Sequence, residues 1–231
     1  MDTYITNIQH ALFLQQQLKR DLFDSLFVEL KKRIKIDFPD QEIKIDIPQM
    51  NFGNMFFMLS WAKYSLQISP NRVDLFYIEK RPFENKQWYG EIFPPIANLL
   101  GGIFSFFNES VGINRLGAVL NGVIPIAELN DPTEVLNREI LGTILKSEKL
   151  GIRRLEMNNR FQLQEITAND NRFFWTGMFS SEGNDRKSIG FLRDINTLPL
   201  DKKLTVEQYQ NFLNQVEKLF YKEQVLIVGV R

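Results

Sequence analysis

The sequence of 231 residues has no cysteine, and this absence excludes disulfide bonds, thiol nucleophiles and cysteine-ligated metal sites. It has one histidine, His10, which leaves little room for a histidine-rich metal centre or an ordinary catalytic triad. The Gly-x-Ser-x-Gly, Gly-x-Gly-x-x-Gly and His-Glu-x-x-His motifs are also missing. We therefore expect a protein without enzymatic activity, cofactor or catalytic residues, in which His10 has a structural or surface role.

An excess of charge of either sign is missing too. The 28 Lys and Arg residues balance 28 Asp and Glu residues, so the formal net charge is zero. Such a chain has no overall field to attract nucleic acid or an anionic membrane. The N-terminal segment lacks the basic and apolar regions of a secretory signal, and together with the absence of cysteine this favours a cytoplasmic location.

One uncharged stretch, Ile92 to Asn108, lies between Glu91 and Glu109. It is at the short limit for crossing a bilayer and contains two prolines and two glycines, so membrane contact is disfavoured. Its apolar residues recur at helical spacing, which predicts a helix over 95–108. A buried central helix is the favoured interpretation, and a helix partly exposed to a partner is the alternative.

Hydrophobic periodicity predicts the same order of elements in both halves of the chain. The first half reads as a strand over 4–14, a helix over 18–34, three strands (42–47, 55–68, 72–80) and the helix 95–108. The second half reads as a strand over 113–126, a helix over 131–144, three strands (154–166, 172–180, 188–195) and a helix from Thr205, capped by Gln208. A last apolar strand is predicted over 225–230.

This order predicts an α+β protein of two similar lobes, each with antiparallel strands and helices on one side of its sheet. The predicted boundaries are 1–111 and 112–231. No linker rich in proline, glycine or serine separates the lobes, so we expect them to pack as one unit. The repeated order is similar to the TATA-binding-protein type of fold, which is an analogy of architecture and implies no function.

Two short segments carry a family resemblance. The run Asn114-Arg115-Leu116-Gly117, followed by Asn121, resembles the Arg-Ile-Gly-Leu-Arg-Tyr-type central strand of a sporadically distributed family of uncharacterised bacterial proteins. Asp194-Ile195-Asn196 resembles the Asp-Ile-Asp-type strand that precedes the C-terminal helix in that family. Val119 replaces the family's second arginine and Asn196 its second acid. The resemblance implies a bacterial origin and the layout of most of the chain, but no activity.

The leading functional hypothesis is a protein-binding or assembly component, partnered by another protein or by a second copy. It rests on the uncharged segment 50–61, which is rich in methionine and aromatic residues, the types that form adaptable contact surfaces. Core packing is the competing interpretation of this segment. The sporadic distribution of the family suggests a bacterial defence or toxin-type system. The candidate protein-binding residues are Met50, Phe52, Met55, Phe57 and Trp61.

The alternative is a nucleic-acid-binding module on the strands of the second half. Arginines beside aromatic residues on strands can hold phosphates and stack on bases. The zero net charge counts against this hypothesis. The candidate residues are Arg154, Arg160, Arg172, Phe174 and Trp175.

A third hypothesis is a metal-dependent hydrolase that uses Asp40, Asp74 and Glu79. The run from Asp40 to Lys44 resembles the carboxylates and lysine of metal-dependent nucleases. A single residue between Asp40 and Glu42 gives an awkward geometry for one metal ion, and an alternating strand with a solvated face explains the same pattern. We expect no metal site.

Overall fold

The computed structural model describes residues 4–19, 23–47, 57–84, 91–125, 151–156, 160–167, 173–180 and 188–227. These residues form ten strands and three helices. The strands are β1 (Tyr4–Leu14), β2 (Lys44–Asp46), β3 (Phe57–Trp61), β4 (Tyr64–Ile68), β5 (Arg72–Glu84), β6 (Ile113–Pro125), β7 (Gly151–Glu156), β8 (Arg160–Thr167), β9 (Phe173–Ser180) and β10 (Ser188–Thr197). The helices are α1 (Phe23–Asp37), α2 (Phe93–Ser110) and α3 (Val206–Ile227).

All ten strands belong to one antiparallel sheet in the order β2-β3-β4-β5-β1-β6-β10-β9-β8-β7. Strands from the first half of the chain occupy one side of the sheet and strands from the second half the other. The two sets meet where β1 pairs with β6 along almost its whole length. The α+β class expected from the sequence is confirmed. The lobe boundaries at 1–111 and 112–231 stay a prediction.

Three predicted strands differ from the structure. The segment 55–68 was predicted as one strand, but β3 and β4 form a hairpin that turns at Ala62, whose φ of 45° reverses the chain. The segment 154–166 is likewise two strands, β7 and β8. Among the described residues, each predicted set of three strands is therefore a set of four, β2 to β5 and β7 to β10. The strand predicted over 225–230 is wrong for residues 225–227, because α3 extends to Ile227. Residues 228–230 lie outside the described residues. The helix predicted over 131–144 lies outside the described residues.

The core lies between one face of the sheet and the helices. On β1 the side chains of Ile8 and Leu12 point toward the helices, as the period of two in a strand requires. Helix α2 buries one face in this core, where the Phe104 ring stacks on Tyr209 of α3 with 4.1 Å between centroids. The buried-helix interpretation of the uncharged stretch is therefore confirmed. Within the described parts of the chain, no helix is both long and apolar enough to span a bilayer.

Local signals in the sequence also appear in the structure. At the start of α3, the Thr205 backbone N–H donates to Oε1 of Gln208 at 2.9 Å. The Gln208 backbone N–H donates in return to Oγ1 of Thr205 at 3.1 Å. This reciprocal pair is the predicted capping box, and it satisfies two of the free backbone donors at the helix start.

His10 lies on the helix-facing side of β1 and is 3% exposed. Its neighbours in register, Leu75 and Ala118, are buried and apolar. Burial lowers the pKa of His10 to about 3, because the apolar core disfavours the charged imidazolium. The residue is thus a neutral part of the core and is not a surface histidine.

Candidate functional site

The second face of the sheet, which we call the open face, presents the alternate residues of each strand. Its centre is built by β5, β1, β6 and β10, which bring together residues from both halves of the chain. The registers of these four strands place a mixed set of aromatic, aliphatic, amide and charged side chains side by side. The central residues are Asn7, Gln9, Ala11, Phe13, Arg72, Asp74, Phe76, Ile78, Arg115, Gly117, Val119, Asn121, Leu192, Asp194 and Asn196.

Phe13 lies between two arginines in one row across this face. It pairs in register with Arg72 of β5 on one side and with Arg115 of β6 on the other. The guanidinium carbon of Arg72 is 4.9 Å from the ring centroid, and that of Arg115 is 4.6 Å away. Both are within the range of a cation–π interaction. We call these three residues the arginine–phenylalanine cluster.

Arg72 is neutralised within the sheet by Asp74, two residues along β5. Nη2 of Arg72 lies 2.6 Å from Oδ1 of Asp74, and its Nε donates to the same oxygen at 2.8 Å. Nε2 of Gln9 also donates to this oxygen at 2.8 Å. The carboxylate therefore has three donors around one oxygen, and Arg72 has a full counter-charge.

Arg115 has a different environment. Its Nη2 donates to Oδ1 of Asn196 at 3.3 Å, and its Nε is buried without a hydrogen-bond partner among the described residues. In the part of the chain that the structure describes, no carboxylate forms an ion pair with it. The guanidinium also lies over the ring of Phe13. The guanidinium is thus fixed in position but weakly hydrogen-bonded.

Asp194 of β10 completes the charged part of the open face. Its Oδ1 accepts a hydrogen bond of 2.6 Å from Nδ2 of Asn196. Burial raises the pKa of Asp194, and the Asn196 hydrogen bond and the charges of Arg115 and Arg72 oppose this shift. The centre of the open face therefore carries both signs of charge.

Gly117 allows the side-chain amide of Asn196 to approach β6 closely. A Cβ atom at this position would lie 2.9 Å from Oδ1 of Asn196, whereas Cε2 of Phe13, at 3.6 Å, would be at an ordinary contact distance. Further along the same strands, Nδ2 of Asn121 donates to Oδ1 of Asn7 at 2.7 Å.

Most residues that carry the family resemblance thus meet at this centre: Arg115, Gly117, Asn121, Asp194 and Asn196. The resemblance indicates these residues but does not predict that they are neighbours. No pattern in the sequence predicts that Phe13, Gln9 and Arg72 belong to the site. The polar residues Asn7 and Gln9, two positions apart in the first strand, were the available signal for this face.

The candidate protein-binding residues fall into two groups. Phe57 and Trp61 are 1% and 2% exposed and pack in the core, where the Trp61 ring stacks on Tyr64 at 5.5 Å. For these two residues the core-packing interpretation applies, because their buried side chains are not accessible to a partner. Met50, Phe52 and Met55 lie outside the described residues, and their role stays a prediction.

The candidate nucleic-acid-binding residues lie on adjacent strands at one edge of the sheet. Arg154 of β7 pairs with Gln162 of β8, and Phe174 of β9 pairs with Ile166 of β8. Arg160 begins β8, and Trp175 follows Phe174 on β9. Arg172 lies outside the described residues. Binding of nucleic acid at this edge stays a prediction.

The carboxylates of the hydrolase hypothesis occupy separate places. Asp74 is engaged by Arg72 and Gln9, and Asp40 is exposed in the turn after α1. Glu79 lies on β5. Across the described ranges, no group of three or more histidine and carboxylate side chains could hold a metal ion.

No family model matches the chain, and no curated protein matches it. Among solved structures, the chain aligns with the apo immunity protein TplEi of T6SS from Pseudomonas aeruginosa (10% identity, 93% of this chain, 89% of that one, TM-score 0.20). It also aligns with the di-domain ARO/CYC StfQ from the steffimycin biosynthetic pathway (8% identity, 94% and 99%, TM-score 0.23). A third alignment is with the Tle4-Tli4 complex (7% identity, 92% and 89%, TM-score 0.20). Scores this low carry no argument about the fold or function of this chain.

Proposed function

We propose that the protein is a binding protein without enzymatic activity, and that it engages another protein through the open face. The observation that carries the proposal is the composition of this face. Partly exposed aromatic, aliphatic and arginine side chains lie beside one another on it, with Ile78 54% exposed. Aromatic residues and arginine are the types enriched in the centres of protein interfaces.

The charges on the open face favour a protein over a nucleic acid. Asp74 and Asp194 lie within the same centre as the two arginines, and Asp74 already neutralises Arg72. A phosphate backbone needs several uncompensated cations along its path. A protein surface, in contrast, can present apolar groups and single charges of either sign to a mixed face.

The open face does not include Phe57 and Trp61, two of the candidate residues in the segment 50–61. Phe57 and Trp61 support the sheet from its helix-facing side, so they hold the open face in place without forming it. A role in a bacterial defence or toxin-type system is a finer part of the proposal. It is supported by the family resemblance alone, and it requires the partner to be encoded near the gene for this chain.

The test compares two isoleucines that differ in the face they occupy. Ile78→Lys places a charge on the open face, and Ile36→Lys makes the same change on α1, where the side chain is 73% exposed. The tagged full chain is used to capture partners from the native host with and without nuclease, and the captured protein is then purified and titrated. We expect Ile78→Lys to weaken binding about ten-fold and Ile36→Lys to leave the affinity unchanged.

Three results would contradict the proposal. The first is a chain that stays monomeric and captures no protein, and the second is a partner that is lost on nuclease treatment. The third is equal binding by the Ile78→Lys variant and the wild type. Turnover of a substrate by the purified chain would contradict the absence of enzymatic activity.

A further inference from the structure

We propose that Arg115 is the anchor for a carboxylate of the partner, supplied by an aspartate or glutamate side chain that docks on the open face. This inference rests on the proposed function and specifies its chemistry. It follows from a difference between the two arginines of the arginine–phenylalanine cluster, which share one aromatic ring but have different hydrogen-bond partners.

The two arginines differ in their counter-charges. Arg72 has a carboxylate oxygen of Asp74 at 2.6 Å, so its charge is already paired. Arg115 has an amide oxygen at 3.3 Å, and among the described residues no carboxylate forms an ion pair with it. An amide oxygen carries only a partial charge, so a carboxylate at this position would bind the guanidinium more strongly.

Arg115 is also positioned in advance. The Phe13 ring contacts one face of the guanidinium at 4.6 Å, and Asn196 fixes one end of it. Its Nε is buried and has no partner in the described part of the chain. A guanidinium held in place by stacking loses little entropy when it binds, and its planar array of donors matches the two oxygens of a carboxylate.

The neighbouring carboxylate limits the size of the anion. Asp194 lies close enough for the charge of Arg115 to affect its pKa, and Asp74 lies in the next row. A single carboxylate needs contact with Arg115 alone, whereas a chain of phosphates would approach both aspartates. The open face therefore favours an acidic side chain of a protein.

The test uses a phage-displayed library of random linear peptides, selected on the immobilised full chain. The wild type, Arg115→Gln and Arg72→Gln are compared, since the last variant removes an arginine from the other side of the same ring. One acidic peptide selected on the wild type and its analogue with glutamine in place of the acid are then titrated against each variant. A labelled single-stranded RNA is titrated in parallel.

We expect the wild type to select peptides that contain Asp or Glu, and to bind the acidic peptide about ten-fold more tightly than its analogue. Arg115→Gln removes this preference. Arg72→Gln weakens binding of both peptides and keeps the preference. Circular dichroism verifies folding, and Arg115→Lys, which keeps the charge but loses the planar donors, gives an intermediate preference.

Selection of peptides without acidic enrichment, or a preference that survives in Arg115→Gln, overturns the carboxylate anchor and leaves the proposed function intact. Failure to select any peptide overturns both. Binding of the RNA that depends on Arg115 also overturns both, in favour of nucleic acid.

Discussion

Gly117 and Asn196 lie directly opposite each other on β6 and β10, and the amide oxygen of Asn196 fills the space beside the glycine. That oxygen would be 2.9 Å from a Cβ at position 117, and Cβ atoms in proteins essentially never lie this close to a non-bonded atom. The same amide bridges Arg115 and Asp194. The polar centre of the open face therefore depends on the absence of a side chain at position 117.

Substitution of Gly117 by alanine should displace Asn196 and break both of its hydrogen bonds. We expect a loss of about 1–3 kcal/mol in the free energy of unfolding, because Asn196 is buried and has little room to move. Urea unfolding followed by circular dichroism measures this change. The control is Gly101→Ala in α2, where a Cβ meets no atom within 4 Å. There alanine should stabilise the helix by about 0.5–1 kcal/mol. Equal effects of the two substitutions would contradict the close approach at position 117.

Phe57→Ala tests whether Phe57, in the methionine- and aromatic-rich segment 50–61, packs in the core. The side chain is 1% exposed and contacts Phe27 of α1 with 6.4 Å between ring centroids. Its removal leaves a cavity and should cost about 3–5 kcal/mol of stability. Met58→Ala, on the opposite face of the same strand, should cost less than about half of that, since Met58 is only partly buried. A Phe57→Ala variant with the stability of the wild type would show that this ring is not part of the core.

The free energy of unfolding should decrease as the pH is lowered, because of His10. Its pKa is about 3 in the folded state and 6.5 in the unfolded state, so only the unfolded chain takes up a proton between these values. Stability is therefore full above about pH 6.5 and is lost as the pH falls toward 3. Between pH 7 and pH 5.5 this residue should cost about 1 kcal/mol.

The measurement is the free energy of urea unfolding at both pH values for the wild type and for His10→Leu. Leucine cannot be protonated, so the variant should lose about 1 kcal/mol less than the wild type over this range. The same pH dependence in both proteins would show that His10 is solvated or protonated in the folded state.

Ala62→Gly should stabilise the β3–β4 hairpin. Ala62 has a φ of 45°, where its Cβ is close to the backbone, and glycine has no such conflict. We expect a gain of about 0.5–1 kcal/mol in thermal or urea unfolding. Ala97→Gly in α2 is the matched control and should cost about 1 kcal/mol, because glycine is unfavourable within a helix. Destabilisation by Ala62→Gly would contradict the left-handed turn.

The same turn explains an error in the strand prediction. Residues 61–64, Trp-Ala-Lys-Tyr, contain no glycine, asparagine, aspartate or proline, so the local chemistry gives no sign of a hairpin. The chain nevertheless turns there, because the pairing of Trp61 with Tyr64 buries both rings. Tertiary packing outweighs the backbone preference of Ala62.

The local elements are predictable from the sequence alone. The β-branched and apolar residues of 4–14 predicted β1, helical spacing predicted α2, and the pair Thr205 and Gln208 predicted the start of α3. These signals depend on residues close together in the chain. It also predicted the α+β class from the order of the elements.

Which residues meet on the open face depends on the tertiary structure. Phe13, Arg72, Arg115 and Asn196 lie on four strands from distant parts of the chain, and their contacts depend on the registers of β1 with β5 and β6 and of β6 with β10. A shift of one residue in any of these registers would turn one partner to the opposite face. Burial of the core fixes the register, and the open face is formed as its consequence.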